Sequence, residues 1–392
     1  MAMLPGMFGT GNWAADQRPK NFREMILRLF PDSPAIFTAF LGKLPDESTD
    51  DPEFAWFEQG LPELRLVAAA AFTNSATTIT IQGQNSYKNV RPGLALLNER
   101  TLEVMWVTNS APIDATTSQV TVVRGKGSTA APGNAGDGLL ILGSHHPEGD
   151  GVPKALHLNP VKYYNYCQIF RDSLHLTRTA EKVNLRTGPD YQKKKRDLSE
   201  QHAIRMEQSF LFGTGVEEVN ASNGMPERTT KGFIRFVATN IFDWNSGVSS
   251  TVIDDACEQI FRTGSSTKLV LAGSTFLNTV NKALKKESTY MINQGESVYG
   301  VKLTEYVTPF GTLMMKMHPL LSQNPTFRSW GLVIDTKNVR YRYLRGRDTQ
   351  YLKDRQNPGD DVILDELLTE AGLEVNLEQT HAIIKNALTV AP

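Results

Sequence analysis

The sequence predicts an α+β chain of more than one domain, on three observations. Short β-branched runs crowd residues 77–142, one long capped helical pattern covers 189–212, and strands alternate with helices from residue 231 onward. At 392 residues the chain exceeds the roughly 250 to 300 at which a single hydrophobic core stops growing. Its 41 Lys+Arg against 42 Asp+Glu leave a formal charge of −1, which argues against a polybasic nucleic-acid arm or an acidic tail. Hydrophobic residues at 40% and charged residues at 21% exclude disorder throughout. The stretch Met1 to Arg18 lacks the basic-then-apolar order of a signal peptide. The longest apolar run, Leu66 to Phe72, is far too short to span a membrane, so the chain reads as soluble and unexported.

Residues 1–52 read as an extended arm. One helix is expected around Asn21 to Leu29, and Pro31, Pro34, Pro45 and Pro52 then interrupt regular structure, because proline fixes φ and lacks a donor. An arm with so little core must lie on the rest of the chain or on a neighbouring copy. Residues 53–178 read as an extended hairpin, with sides at Glu53 to Gln59 and Lys162 to Thr177, and a small all-β module inserted at about 64–150. The module's strands are TTITIQ, LALL, LEVMWVT and QVTVVRG, and Gly125 to Gly138 reads as a loose stretch. Residues 179–230 form a unit built on a spine helix at 189–212. Thr187 or Gly188 can cap it, Pro189 suits its first position, and Gly213 stops it. Residues 231–371 form an α+β domain: a strand at GFIRFV, helices at Val252–Arg262 and Ser274–Lys286, a strand at TKLVLAG, a hairpin turning at Thr308 to Gly311, and an acidic-led helix from about Asp360 to Glu370. Residues 372–392 supply a closing strand, expected to return to the unit that holds the spine helix.

The search for chemistry finds no catalytic, cofactor or metal residues. Cys167 and Cys257 are too far apart for a CxxC pair, and Cys257 follows the i, i+3, i+4 spacing of a buried helical face. In RGKGST, at Arg124 to Thr129, Gly127 stands where a phosphate-binding loop needs Ser or Thr after Lys126. His145 and His146 are adjacent, with no second ligand pair at a metal-binding spacing. No GxSxG elbow is present. The most concentrated charge is VRYRYLRGRDTQYLKDR, where Arg340, Arg342, Arg345, Arg347, Lys353 and Arg355 meet only Asp348 and Asp354. On a strand, Arg340 and Arg342 share one face and Tyr341 and Tyr343 the other. This segment suits either single-strand nucleic-acid binding by stacking, or an interface in which arginine forks pair with carboxylates such as those after Asp360. The near-neutral chain favours the interface.

The order of elements resembles the major capsid proteins of tailed bacteriophages, whose fold is shared with herpesvirus shells and bacterial nanocompartments. The resemblance rests on VTVVRGKGST, the spine ending RMEQSFLFG, TTKGF after it, and RYLRGRDTQYLKDRQNPGDD, and it points to the subgroup with a β-module inside the extended loop. It implies a peripheral domain on the spine helix and an axial domain from residue 231. It also implies a structural protein, not an enzyme, that self-assembles into the hexamers and pentamers of an icosahedral or prolate head enclosing double-stranded DNA without sequence specificity. The implied partners are copies of itself, a portal protein, a separate scaffolding protein and a cement or decoration protein, with no cofactor and no membrane. The place of action is the virion, assembled in the bacterial host cytoplasm. Trp13, Phe22, Trp56, Phe57, Arg340, Arg342, Arg345, Arg347, Asp348 and Arg355 are the candidate subunit-interface residues, since aromatics and arginines dominate interface energetics. A nanocompartment shell, or a ligand- or carbohydrate-binding protein built on the β-module, are the competing readings.

Overall fold

The computed structural model describes residues 35–60, 64–83, 85–149, 151–153, 159–183, 190–286, 293–298 and 301–390. Trp13, Phe22, the expected helix at 21–29 and the expected cap at Thr187 to Pro189 lie outside the described residues. The chain divides into two compact units, one of Trp56–Tyr163 and one of Met1–Ala55 with Tyr164–Pro392.

The described chain opens with α1 (Ile36–Leu41), β1 (Asp46–Thr49) and β2 (Glu53–Glu58). Six strands follow in the smaller unit: β3 (Arg65–Val67), β4 (Thr78–Gln82), β5 (Leu94–Asn98), β6 (Val104–Pro112), β7 (Thr117–Val123) and β8 (Gly138–Ser144). They pair antiparallel in the order β3-β8-β5-β6-β7-β4, and a bridge between Ala68 and Ile81 joins the two ends, closing a small barrel. Alternation places Leu66, Ile79, Ile81, Leu96, Met105, Val107, Val120, Val122 and Leu139 inside, all buried. The stretch expected to be loose is instead tied down. Arg124 donates to buried Glu103 at 2.6 and 2.7 Å and to the carbonyls of Thr73 and Ala131, while Glu103 also accepts from the amides of Gly125 and Ala131. Further along, Phe72 lies flat on Gly133, where a Cβ would fall 2.0 Å from the ring.

The chain leaves through β9 (Val161–Tyr166), which pairs with β2 as a two-stranded ribbon. β10 (Gln168–Thr177) does not continue that ribbon, as the expected hairpin required. It pairs along its length with a strand near the C-terminus. After α2 (Arg178–Lys182) comes the spine helix α3 (Asp190–Phe212), with Leu198, His202, Met206 and Phe210 buried along one side. Its end is fixed by glycine on glycine. A Cβ on Gly213 would sit 2.1 Å from the Thr230 carbonyl, and one on Gly232 would sit 2.5 Å from the Gly213 nitrogen, so FLFG and TTKGF are two halves of one close backbone approach. Between them lies the exposed hairpin β11 (Glu217–Val219) and β12 (Pro226–Arg228).

The next elements are α4 (Phe233–Phe236), β13 (Ile241–Asp243), α5 (Ser250–Phe261), β14 (Thr267–Ala272), α6 (Ser274–Lys286), β15 (Asn293–Val298), β16 (Val301–Thr308), β17 (Gly311–Met317), α7 (Pro319–Gln323) and β18 (Gly331–Ile334). GFIRFV is therefore a helical turn and not a strand: Phe233 and Phe236, three apart, both point into the core. The chain ends with β19 (Val339–Leu344), β20 (Gln350–Leu352), β21 (Val362–Val375) and β22 (Ala382–Lys385). A seven-stranded sheet in the order β13-β22-β18-β14-β17-β16-β15 packs against α5 and α6 through Ile253, Cys257, Ile260, Phe276, Val280 and Leu284, so the Cys257 thiol is core, pushed up to about 12 by burial. The second large sheet runs β1-β19-β21-β10, with β20 also on β21.

Two expectations near the C-terminus are corrected here. The helix expected at Asp360 to Glu370 is β21, whose Leu, Glu and Ala residues favour helix but whose backbone is paired on both edges, so tertiary pairing overrides propensity. The strand that returns to the spine helix is accordingly β21. The last strand, β22, expected at 372–392 to make that return, joins the seven-stranded sheet.

Candidate subunit-interface site

Alternation along β21 sets two faces. Ile363, Asp365, Leu367 and Thr369 turn toward α3, while Glu366, Glu370 and Glu374 recur every fourth residue on the opposite face. Arginines from the neighbouring segments cover those three carboxylates. Arg171 of β10 hydrogen-bonds Glu366, with Arg355 3.9 Å away. Arg347 meets Glu370 at 2.6 Å, and Arg342 hydrogen-bonds Glu374. β1 extends the lattice, because Glu47 takes Arg342 at 2.8 Å and Arg340 at 3.3 Å, and Asp50 takes Arg345 at 2.9 Å. Glu366 and Glu370 are nearly covered while Arg171 and Arg347 over them lie about half in solvent, so this part of the sheet presents a charged face floored by acids. Arg171, its hydrogen-bond partner, holds Glu366 below the usual carboxylate range against the burial that would raise it. Burial would lower the Arg342 guanidinium, but Glu374 and Glu47 carry it upward.

The other side of β19 is aromatic, as the alternation predicts. Tyr341 is buried, donates to Asp348 at 2.9 Å and meets Phe210 of the spine edge to face, with Tyr343 stacked beside it. Burial first, and Asp348 second, push the Tyr341 phenol up. Asp348 thus accepts from Tyr341 within the chain while remaining exposed.

Beneath β21 the spine makes two buried polar junctions. His202 Nδ1 lies 2.7 Å from Asp172, which also pairs with Arg205, and His202 Nε2 lies 2.8 Å from the Thr369 hydroxyl. A carboxylate only accepts, so Nδ1 carries the proton and Nε2 accepts from Thr369. Burial keeps His202 below its ordinary value. One turn further, buried Glu207 accepts from the amides of Phe37 and Thr38 at 2.7 and 2.5 Å, from the Thr38 hydroxyl at 2.7 Å, and from His318 Nε2 at 2.5 Å. It thereby satisfies two amides in the first turn of α1 that have no partner within the helix. Nearby, Asp365 would be raised by burial, but the hydroxyls of Tyr191 and Tyr351 and the Asp354 amide hold it below the usual range.

On the β2–β9 ribbon, Trp56 stacks on Tyr163 at 6.3 Å and donates to Glu58, while Phe57 is 69% exposed, with Tyr164 and Val161 also exposed. Trp56 and Phe57 are thus on the ribbon, whereas the arginines from 340 to 355 are on or beside the charged sheet. His145 stacks against Trp106 at 4.1 Å, and among the described residues no group of three or more His, Cys, Asp or Glu is placed to hold a metal ion. No helix among the described residues is long and apolar enough to cross a membrane. The sequence pointed the arginines at carboxylates after Asp360, and Glu366, Glu370 and Glu374 are those carboxylates, standing on a strand where a helix was expected. Sequence reasoning missed Glu207 because nothing marks a buried acid one place from the apolar stripe.

A family model described as the SU10 major capsid protein matches residues 6–388. The major capsid protein of Pseudomonas phage PaMx41 is 25% identical over 372 residues, covering 92% of this chain and 87% of that relative. Among solved structures, the capsid of an empty GTA particle aligns with a TM-score of 0.49 and 10% identity over 95% of this chain and 96% of its own. A structure from Mycobacterium phage Bobi aligns with a TM-score of 0.46 and 11% identity over 95% and 96%.

Proposed function

This chain belongs to the SU10 major capsid protein family, and from that premise we propose that its copies form the hexamers and pentamers of an icosahedral or prolate head that encloses double-stranded DNA. That it is a structural capsid protein of a phage virion, not an enzyme, and that copies of it form the shell follow from the family. The match across residues 6–388 carries the reading. A portal protein, a scaffolding protein and a cement or decoration protein complete the proposed set of partners, with assembly in the bacterial host cytoplasm.

The subunit contacts are assigned by surface chemistry. Exposed aromatic surface on a two-stranded ribbon is unstable alone and costs least when covered by a neighbour, which favours Trp56 and Phe57 as contacts. Arg340, Arg345 and Arg347 present half-exposed guanidiniums at the edge of the charged sheet and suit the polar rim of a subunit contact of their own. Arg342 and Asp348 support that face from within the subunit. Light scattering and negative-stain microscopy on the purified chain, alone and co-expressed with the other head genes of its phage, test the proposal. Rings, tubes or closed shells are expected, and a monodisperse monomer under every condition would contradict it.

A further inference from the structure

A cavity of about 300 Å³ opens where β10 meets β21, lined by Arg171, Asp172, Ser173, His175, Arg355, Leu364 and Glu366. Asp172 is spoken for, because it is held by His202 and Arg205 on the spine side. Glu366 is the other carboxylate of the cavity, and two guanidiniums share it unequally. Arg171 hydrogen-bonds it, while Arg355 stands 3.9 Å off, beyond hydrogen-bond reach, with 54% of its side chain in solvent. Two cations on one anion leave one positive charge over, and a third cation, Arg347, is already matched by Glu370. Ser173 adds a hydroxyl on the exposed side of β10, and His175, two residues on along the same side, adds a ring N–H donor.

We propose that this cavity binds a phosphoryl oxyanion, with Arg355 as the guanidinium free to take it and Arg171, Ser173 and His175 completing the donor set. A guanidinium presents paired N–H groups that match the oxygens of a phosphate, and the fork of Arg355 makes no hydrogen bond among the described residues. The remaining donors approach from β10, a strand whose backbone is fixed along its length by pairing with β21, so the donor geometry is set before the anion arrives. The same chemistry is offered by free phosphate and by the phosphodiester backbone of enclosed nucleic acid. The shell role stands or falls independently of this site.

The test uses the full chain, as unassembled subunits and as shells, with sodium phosphate, sodium acetate, and a short DNA duplex as probes. At constant ionic strength, phosphate is expected to raise the unfolding midpoint in a saturable way that chloride and acetate do not reproduce. Arg355→Gln is expected to weaken that binding roughly fivefold or more, and Ser173→Ala to weaken it less. If the natural anion is a phosphodiester, duplex binding falls in the same variants and its salt slope drops by about one counterion; if it is free phosphate, duplex binding is unchanged while the phosphate effect is lost. Absence of a saturable phosphate effect in the unmodified chain would overturn the proposal, as would equal effects in both variants. A response to acetate as strong as to phosphate would also overturn it, by pointing to a carboxylate from another protein.

Discussion

The barrel of residues 65–144 and the sheet that ends in β10 are both antiparallel for most of their length, yet they solve opposite problems. The barrel closes on itself at Ala68 and Ile81, fills its interior with aliphatic side chains, and buries the ion pair of Glu103 with Arg124. The sheet leaves β10 at an edge and turns a face of arginines over half-hidden carboxylates to solvent. Closure removes the unpaired edges that invite other chains, whereas an open edge and half-exposed guanidiniums leave groups that another chain can meet. The barrel is closed on itself, whereas the sheet keeps an edge open.

The largest expected effect falls on the closed unit. Glu103→Ala leaves the Arg124 guanidinium buried without its carboxylate and frees two loop amides, costing about 3 to 5 kcal/mol. Calorimetry should show that loss in the barrel transition, with the other unit's transition in place. In the open unit, Glu207→Ala strips acceptors from two α1 amides and from His318. A loss of about 3 kcal/mol is expected, read as a lower midpoint of the second transition.

Acid separates the two units by pH. Burial outweighs the nearby Asp335 and drops His381 from 6.5 to about 4, with Nδ1 accepting from the Asp335 amide and Nε2 facing the Asn376 carbonyl. The folded pKa lies below the unfolded one, so the unfolded chain takes the proton first as pH falls. About 3 kcal/mol present above pH 6.5 is therefore lost between there and about pH 4. In the barrel, Arg100 holds Asp137 at about 2 against 3.8, assisted by Asn134 and Asn98. That contribution is present above pH 3.8 and lost only as pH falls toward 2. Thermal melts at pH 7, 5 and 3 should lower the open unit's midpoint before the barrel's.

Smaller effects grade the charged face. Arg347→Ala exposes the nearly covered Glu370 carboxylate and should cost about 1 to 2 kcal/mol of subunit stability, measured by denaturant unfolding. Arg345→Ala breaks a pair in which both partners are largely in solvent, and should change stability by about 0.5 kcal/mol or less.

Much of this architecture is legible in the residues because it rests on short-range pattern. Ile79 and Ile81, or Val120 and Val122, alternate as a half-buried strand must. Ile253, Ala256, Cys257 and Ile260 repeat as a buried helical face must. The hidden parts are those decided by distant pairing. VILDELLTEAGLEV is rich in helix formers, and only β10 and β19, nearly two hundred and about thirty residues away by the register, make it a strand. Arg342 and Arg347 were legible as an arginine cluster awaiting carboxylates, but that the partners are Glu374 and Glu370 of the same chain depended on that misread strand. Gly213 was legible as a helix stop, and its tight approach to Thr230 was not.

That copies of this chain meet through the exposed aromatics of the β2–β9 ribbon is tested most directly by the shell yield of Phe57→Ala. Phe57 is 69% exposed, so its removal should leave both unfolding transitions at their normal midpoints. Sedimentation velocity with negative-stain microscopy should then show folded subunits and about a tenfold or greater loss of closed shells. A normal yield of shells from Phe57→Ala would contradict the account.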